Sequence, residues 1–226
     1  MKLTFLGTGA ADWILKKKEE VEEYRRFCSA LIDDTLLIDP GPQVMDALDE
    51  YNKDAASIKY ILCTHKHGDH WSPDTVAALE AGGAVLYDLR AGETKSMGKY
   101  TVRAYEGNHS TCAGTVHFII SDGERTLFYG LDSAWLLYDE VQGIIEHKPN
   151  FAVLDATIGE IDGDYRIFEH NNLAMILEMK KTLDPYVEKF CISHMALTLH
   201  TDHKTLAEKM EKHGILTACD GLEVEI

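Results

Sequence analysis

Short apolar runs bounded by turn residues recur along the chain, and each predicts a β-strand. Two polar segments, Asp33-Asp34 and Ser121–Glu124, separate neighbouring runs and predict hairpin turns. The predicted strands are Leu3–Leu6, Ser29–Ile32, Leu36–Ile38, Tyr60–Cys63, Ala84–Tyr87, Thr101–Tyr105, Val116–Ile120, Thr126–Tyr129, Phe151–Leu154, Phe190–Ile192 and Leu222–Ile226.

Longer segments with apolar residues three and four positions apart predict helices between these strands. One helix start is specific, because Ser72 is a suitable N-cap and Pro73 suits the first helical position. Lys16–Tyr24 is so highly charged that it predicts either a solvated surface helix or an ordered loop. The predicted helices are Gln43–Tyr51, Pro73–Ala81, Ala134–His147, Asn172–Leu183 and Asp202–His213.

The order of these elements, with both hairpins and crossovers, predicts an α/β protein with a mixed-sheet sandwich and helices outside. A chain of 226 residues suits one α/β domain, and we expect a single domain over residues 1–226. No apolar run reaches the ~18 residues of a membrane span, so no membrane partner is expected. Met1–Gly7 is typical of a first strand rather than a signal peptide.

Charge and cysteine content narrow the partners and the compartment. Lys and Arg total 22 against 38 for Asp and Glu, a formal net charge of −16. Such an acidic surface repels polyanions, which weighs against broad nucleic-acid binding but allows a small anionic substrate drawn in by metal ions. The five scattered cysteines include no CxxC pair, so we expect free thiols and a cytoplasmic location.

The densest group of candidate metal ligands is the loop Thr64–His70, with the sequence THKHGDH, between a predicted strand and a predicted helix. Three imidazoles and a carboxylate suit a borderline divalent metal. His65 and His67 point to one side of an extended segment, whereas Asp69 and His70 follow a turn. One loop can therefore serve two adjacent ions, and the alternative is a solvated polar loop.

Three later residues, His109, Asp132 and His194, each follow the end of a predicted strand. A lone histidine at such a place is more often solvated than a ligand, and a lone aspartate such as Asp132 often caps the next helix. Together with the loop Thr64–His70, however, the three residues form a specific pattern.

This pattern resembles the metallo-β-lactamase fold superfamily, and the resemblance covers nearly the whole chain. Met1–Ala10 (MKLTFLGTGA) and Ala218–Val224 resemble the opening and closing strands of its PhnP-like phosphodiesterase and tRNase Z branches. Leu37–Gly41 resembles the strand that brings a supporting aspartate, here Asp39, to the metal loop. The resemblance implies a four-layer αβ/βα sandwich with two mixed sheets packed face to face and helices outside.

The resemblance also implies two divalent metal ions and no organic cofactor. Zn²⁺ suits a set of nitrogen and oxygen ligands without thiolate, and Mn²⁺ or Fe could replace it. Two ions ~3.5–4 Å apart can share a hydroxide and stabilise the charge formed on attack. One metal would be bound by His65, His67 and His109, the second by Asp69, His70 and His194, and Asp132 would bridge them.

The predicted catalytic residues are Asp69, which also binds the second metal, and His170. His170 precedes Asn171 and Asn172 at a predicted helix start, where the resemblance assigns a histidine that assists the leaving group. An imidazole with a near-neutral pKa suits general acid catalysis. The alternative is a surface residue that flanks the helix.

Four further residues have two interpretations each. His200 and His203 follow His194, and they either contact the substrate or are ordinary surface residues. Arg25 and Arg26 either bind a phosphate or lie on a solvated edge. Substrate specificity is expected from the loops Ala10–Tyr24, Ala134–Gly143, Gly159–Glu169 and Met195–Thr201, which contain Trp13, Trp135 and Tyr165.

This sequence differs from several branches of the superfamily, and these differences reduce the number of functions to be considered. The segment between His109 and Asp132 has room only for a hairpin, not for a tRNA-binding arm, and no cysteine precedes Cys28 to form an extra zinc site. His67 stands where flavodiiron proteins have glutamate. We therefore predict a dinuclear hydrolase of a small phosphodiester, such as a cyclic phosphate or nucleotide. The alternatives are hydrolysis of a carboxylic ester, lactone or thioester, and a non-catalytic metal-binding module; a homodimer is the default oligomer.

Overall fold

Strand pairing divides the chain into two mixed sheets in the computed structural model, which describes residues 1–226. The strands are β1 (Lys2–Gly7), β2 (Ser29–Ile32), β3 (Leu36–Ile38), β4 (Tyr60–Leu62), β5 (Val85–Tyr87), β6 (Thr94–Met97), β7 (Tyr100–Glu106), β8 (Val116–Ser121), β9 (Thr126–Gly130), β10 (Phe151–Asp155), β11 (Lys189–Ser193), β12 (Ile215–Thr217) and β13 (Glu223–Glu225).

The first sheet has the order β13-β1-β2-β3-β4-β5, and the second has the order β12-β11-β10-β9-β8-β7-β6. In each sheet antiparallel hairpins adjoin a parallel part, which is β3-β4-β5 in the first sheet and β9-β10-β11-β12 in the second. The predicted hairpin turns are confirmed. Asp33 and Asp34 both have positive φ angles, 49° and 56°, which two-residue hairpin turns require.

Five α-helices cover the outer faces of the two sheets. None of them combines the length and the apolar character that crossing a bilayer requires. The helices are α1 (Val44–Glu50), α2 (Pro73–Ala81), α3 (Tyr138–His147), α4 (Leu173–Leu183) and α5 (His203–Glu211), and short 3-10 turns occur at Ala11–Leu15, Lys18–Glu20, Ala55–Ser57 and Tyr165–Phe168.

Three apolar clusters account for the four layers. The largest lies between the sheets, where Phe5 and Ile38 of the first sheet face Phe118 and Tyr129 of the second. A second cluster joins the outer face of the second sheet to α3, α4 and α5, and a third joins the first sheet to α1 and α2. This four-layer α/β sandwich is the fold class that the sequence predicts.

Side-chain caps fix where several helices begin. The Ser72 hydroxyl accepts a hydrogen bond from the Thr75 amide at 3.3 Å, as predicted for the start of α2. Asp202 caps α5 in the same way, by accepting from the Thr205 amide at 2.9 Å. Each cap provides an acceptor for an amide that has no partner within the helix.

Several predicted boundaries were wrong. β6 and β12 were missed, because they are short edge strands and β6 (TKSM) is polar and mostly exposed. Helix α3 begins at Tyr138 instead of Ala134, where the Leu137 amide donates to the Glu140 carboxylate at 2.7 Å. Lys16–Tyr24 contains only a 3-10 turn, so the ordered loop, not the helix, is observed.

Replacing Phe118 by alanine is expected to lower the free energy of unfolding by about 3–5 kcal/mol, because its ring is fully buried between the sheets. Phe168→Ala is the matched control, since that ring is 74% exposed, and its effect should stay within about 0.5 kcal/mol. Urea denaturation followed by circular dichroism measures both values. Equal losses for the two variants would contradict the position of Phe118 in the core.

Candidate metal centre

Strand ends from both sheets meet at one edge of the sandwich. The first sheet contributes the loop Thr64–His70, which follows β4. The second sheet contributes His109 after β7, Asp132 after β9 and His194 after β11. All seven predicted ligands thus come together, although they span 130 positions of the sequence.

The first set consists of three imidazoles. His65 Nε2 lies 3.1 Å from His67 Nδ1, and His109 Nε2 lies 3.2 Å from the same His67 atom. His65 and His109 are buried, and His67 is half-buried. The three nitrogens therefore converge on one point.

The second set consists of His70, His194 and Asp69. The two Nε2 atoms of His70 and His194 are 3.2 Å apart, and Asp69 Oδ2 lies 3.4 Å from His70 Nε2 and 3.6 Å from His194 Nε2. All three side chains are buried. This is the ligand set that the sequence predicts for the second ion.

Asp132 lies between the two sets. Its Oδ2 atom is 2.7 Å from His70 Nε2 and 3.1 Å from His194 Nε2, whereas its Oδ1 atom faces His109 Nε2 at 4.0 Å. One carboxylate oxygen is thus directed to each set. This is the geometry expected of a bridging ligand.

These donors fit a metal ion better than they fit one another. Asp132 Oδ2 is buried and makes no hydrogen bond of acceptable geometry. Facing imidazole nitrogens such as His70 Nε2 and His194 Nε2 cannot both donate to each other, so one lone pair stays without a partner. Buried polar atoms without a partner are costly, and a divalent cation would satisfy them.

The outer nitrogens of most of these imidazoles are also occupied. Asp39 Oδ2 and the Glu169 carbonyl can only accept, so the Nδ1 atoms of His70 and His109 carry the proton and Nε2 is left for an ion. The Nδ1 contacts are His65 with Thr64 Oγ1 at 3.0 Å, His70 with Asp39 Oδ2 at 2.9 Å, His109 with the Glu169 carbonyl at 3.2 Å and His194 with Thr157 Oγ1 at 2.7 Å.

Electrostatics differ between the two sets. Burial lowers the pKa of His65 to about 2, with a further contribution from His70, and burial also lowers the pKa of His109. These imidazoles are neutral at pH 7, which is the form that binds a metal.

In the second ligand set the nearby carboxylates together have a larger effect on the pKa values of the histidines than burial has. Burial alone lowers the pKa of His70 and His194, but the charge of Asp132 outweighs it and raises both pKa values well above the ordinary range. Burial alone raises the pKa of Asp132, but His194 and His70 bring it well below its usual range. Asp132 is therefore an ionised carboxylate, as a ligand must be.

Asp39 is placed as the resemblance implies. Its Oδ1 atom accepts from the amide and the hydroxyl of Thr64, at 2.7 and 2.9 Å, while Oδ2 holds His70. Asp39 has a φ angle of 60°, and Asp132 and His194 have 55° and 64°. Such left-handed conformations cost roughly 1–2 kcal/mol per residue and are typical of functional sites.

His170 lies at the rim of the site, 5.1 Å from His109 and 5.6 Å from His194 between ring centroids. Its Nδ1 atom is 3.0 Å from Asp155 Oδ2 and 3.1 Å from Thr157 Oγ1. His170 flanks helix α4, which Asn172 caps, but only 14% of its side chain is exposed, so it is held beside the ligands and is not free on the surface.

Asp155 was missed by the sequence prediction. It is fully buried, and it accepts hydrogen bonds from the amides of Asp132, Thr157 and Asn171 besides holding His170. A signal was present, since Asp155 directly follows the apolar strand Phe151–Leu154, as His194 follows its own strand. Glu169 was missed as well, although it precedes His170.

The four residues with open roles make structural contacts. His200 Nε2 donates to the Ala156 carbonyl at 2.5 Å, and Arg25 donates to Thr8, the Ala218 carbonyl and His203. Arg26 pairs with Glu50 and Tyr51. Both arginines are 7% exposed, so the solvated-edge interpretation is wrong.

The aromatic residues of the predicted mouth loops behave differently from one another. Trp13 is buried, and its indole donates to the Met195 carbonyl at 2.8 Å, so it is a structural residue. Trp135 and Tyr165 are exposed and remain available for contact with a substrate.

Gly41 lies outside the metal loop but controls how closely that loop can approach the segment that follows β3. A Cβ atom added to Gly41 would lie 2.4 Å from the Asp69 carbonyl oxygen, whereas one added to Gly68 would meet nothing within 4 Å. Gly41→Ala is therefore expected to displace Asp69 and weaken zinc binding by about 10-fold or more. Zinc titration against a competing chelator measures this.

Gly68→Ala is the control for that variant, since Gly68 belongs to the metal loop itself and has ample space. Its zinc affinity should match that of the wild type. A loss as large as that of Gly41→Ala would show that the approach of Gly41 to Asp69 is not the decisive constraint.

Comparisons with known proteins agree with this architecture. A sequence profile of the family described as Anti-Pycsar protein Apyc1 matches residues 1–73, which include β1 to β4 and the loop Thr64–His70. A UPF0173 metal-dependent hydrolase from Dinoroseobacter shibae is 26% identical over 184 residues, which cover 68% of this chain and 72% of that protein.

Solved structures give the same answer for the fold. The metallo-β-lactamase fold protein YhfI from Bacillus subtilis superposes with a TM-score of 0.75 at 16% identity, over 100% of this chain and 99% of that one. Zn²⁺-bound PqqB from Methylobacterium extorquens gives 0.74 at 15% identity, over 100% of both chains. The short form of human tRNase Z gives 0.72 at 15% identity, over 100% and 99%. The chain is therefore a protein of the metallo-β-lactamase fold, as its sequence pattern predicts.

Proposed function

We propose that this chain is a metal-dependent hydrolase that uses two divalent ions to cleave a small phosphodiester. The observation that supports it most is Asp132, which directs one oxygen to each of two converging ligand sets while His170 stands beside them. The relative from Dinoroseobacter shibae is named a metal-dependent hydrolase, and one structural neighbour is named tRNase Z.

The donor set suits Zn²⁺, with Mn²⁺ or Fe as alternatives, because it consists of imidazoles and carboxylates without thiolate. PqqB, a structural neighbour, is described as Zn²⁺-bound. Two such ions supply activated water at neutral pH and neutralise charge on the reacting group. Asp69, the other residue predicted to be catalytic, would act from within the second ligand set.

The His170 side chain supplies a proton donor. Burial alone lowers its pKa, but Asp155 outweighs burial and raises the pKa above the ordinary value. Because Asp155 Oδ2 holds the Nδ1 proton, Nε2 is the nitrogen that can give a proton to a leaving oxygen. Phosphodiester cleavage with an alkoxide leaving group needs such a donor.

The acidic surface supports a small substrate rather than a long nucleic acid. A formal net charge of −16 repels a polyanion along its length, whereas a small phosphodiester needs to meet only the cationic centre. Trp135 and Tyr165, which lie in two of the predicted mouth loops, have exposed rings.

A substrate panel tests the proposed reaction. The purified chain is expected to contain about two equivalents of metal and to hydrolyse bis(p-nitrophenyl) phosphate, with activity lost on chelation and restored by Zn²⁺ or Mn²⁺. The same preparations are assayed on p-nitrophenyl acetate, a lactone and a thioester. Faster turnover of the carboxylic esters would contradict a phosphodiesterase, and full metal occupancy without any hydrolysis would favour a binding module.

Replacing His170 by glutamine is expected to affect substrates according to their leaving group. Turnover of a 3′,5′-cyclic nucleotide, which needs protonation of a sugar alkoxide, should fall by about 10²–10⁴-fold. Bis(p-nitrophenyl) phosphate should lose much less, because p-nitrophenolate leaves without a proton. The metal content should be unchanged. Equal losses on the two substrates would remove His170 from the role of general acid.

A further inference from the structure

Glu169 contacts the loop that carries His109 at several points. Its carboxylate accepts hydrogen bonds from the Ser110 hydroxyl at 2.5 Å, the Thr111 amide at 3.1 Å and the Thr111 hydroxyl at 3.0 Å. His109 Nδ1 lies 3.2 Å from Glu169 Oε2 and 3.2 Å from the Glu169 carbonyl oxygen. Three consecutive residues of that loop are thus bound by one glutamate.

These contacts are the connection between two segments that no strand pairing joins. His109 lies in the loop between β7 and β8, and Glu169 ends the 3-10 turn Tyr165–Phe168 between β10 and α4. Every hydrogen bond between the His109 loop and the segment Gly159–His170 involves Glu169.

The next residue in the chain is His170, whose Nδ1 atom is fixed by Asp155 and Thr157. The centroids of the His109 and His170 rings are 5.1 Å apart. Glu169, which directly precedes His170 in the chain, is hydrogen-bonded to the loop that carries His109. Movement of Glu169 would change the direction of His109 Nε2 and its separation from His170 together.

We propose that Glu169 is a positioning residue that aligns His109 for the first metal ion and sets its distance from His170. This inference rests on the proposed metal centre. The Glu169 carbonyl accepts the outer proton of His109, while the Glu169 carboxylate holds Ser110 and Thr111 of the same loop. Groups that orient a ligand imidazole in this way are typically worth 10–100-fold in metal affinity.

Zinc titration of Glu169→Ala against a competing chelator tests the proposal without relying on activity. One of the two zinc equivalents is expected to bind about 10–100-fold more weakly, while the other keeps its wild-type affinity. Glu160→Ala is the matched control, because Glu160 belongs to the same segment but pairs with Lys209 of α5. Its zinc affinities should equal those of the wild type.

A second pair of variants separates alignment from general packing. Glu169→Gln keeps an acceptor oxygen and should recover part of the lost affinity. Thr111→Val should weaken the same equivalent slightly, and adding it to Glu169→Ala should cost little more, because the shared contact is already gone. In the active protein, Glu169→Ala should lower kcat with little change in KM.

Unchanged affinity of both zinc equivalents in Glu169→Ala would overturn the proposal, and so would an equal loss in Glu160→Ala. If the wild type binds two zinc ions but hydrolyses no phosphodiester, the proposed function fails while the affinity comparison still decides the role of Glu169. A wild type that binds no zinc would overturn both.

Discussion

The site depends on one electrostatic constraint. Five imidazoles and two carboxylates direct their lone pairs into one small buried space, and the protons available there cannot satisfy all of them. The surrounding polar groups follow from this constraint. Asp39 and Glu169 take the outer protons of His70 and His109, so that the inner nitrogens remain free to act as ligands. The two sheets then have to hold these imidazoles and carboxylates close together, although their lone pairs repel one another.

The backbone meets that requirement by placing the critical residues directly after strand ends. Asp39, Asp132 and His194 each leave a buried strand in a left-handed conformation, which turns the side chain sharply away from the sheet. Strand pairing on both sides makes the turn tolerable, because the cost of each strained residue is small compared with the burial of the strands that precede it. The same reasoning explains Gly41, which must lack a side chain for Asp69 to approach.

The sequence predicts most strands and the four ligands of the loop Thr64–His70 because these are local signals, whereas the four-layer order and the roles of His109, Asp132 and His194 come from the resemblance to the metallo-β-lactamase superfamily. Strand periodicity and a loop with three histidines are visible without knowledge of the fold. Asp155 and Glu169 were missed because their roles arise from partners far away in the sequence, such as Asp132 and Ser110. Arg25 and Arg26 were misjudged for a related reason, since charge alone does not reveal that Thr8, Ala218 and Glu50 bury and pair them. The edge strands β6 and β12 lack any apolar alternation to detect.

The origin of the ligands in two different sheets has a consequence for the whole molecule. The loop after β4 belongs to one sheet, whereas His109, Asp132 and His194 belong to the other. Backbone hydrogen bonds from Met195 to Thr8 and from Val116 to Thr64, at 2.9 Å each, already join the two sheets beside these ligands. An ion bound by both would therefore act as a crosslink between two halves of the sandwich, in the manner of a disulfide. The free energy of metal binding would then also be a contribution to folding, and the opening of the sheets would become slow wherever the ions are abundant.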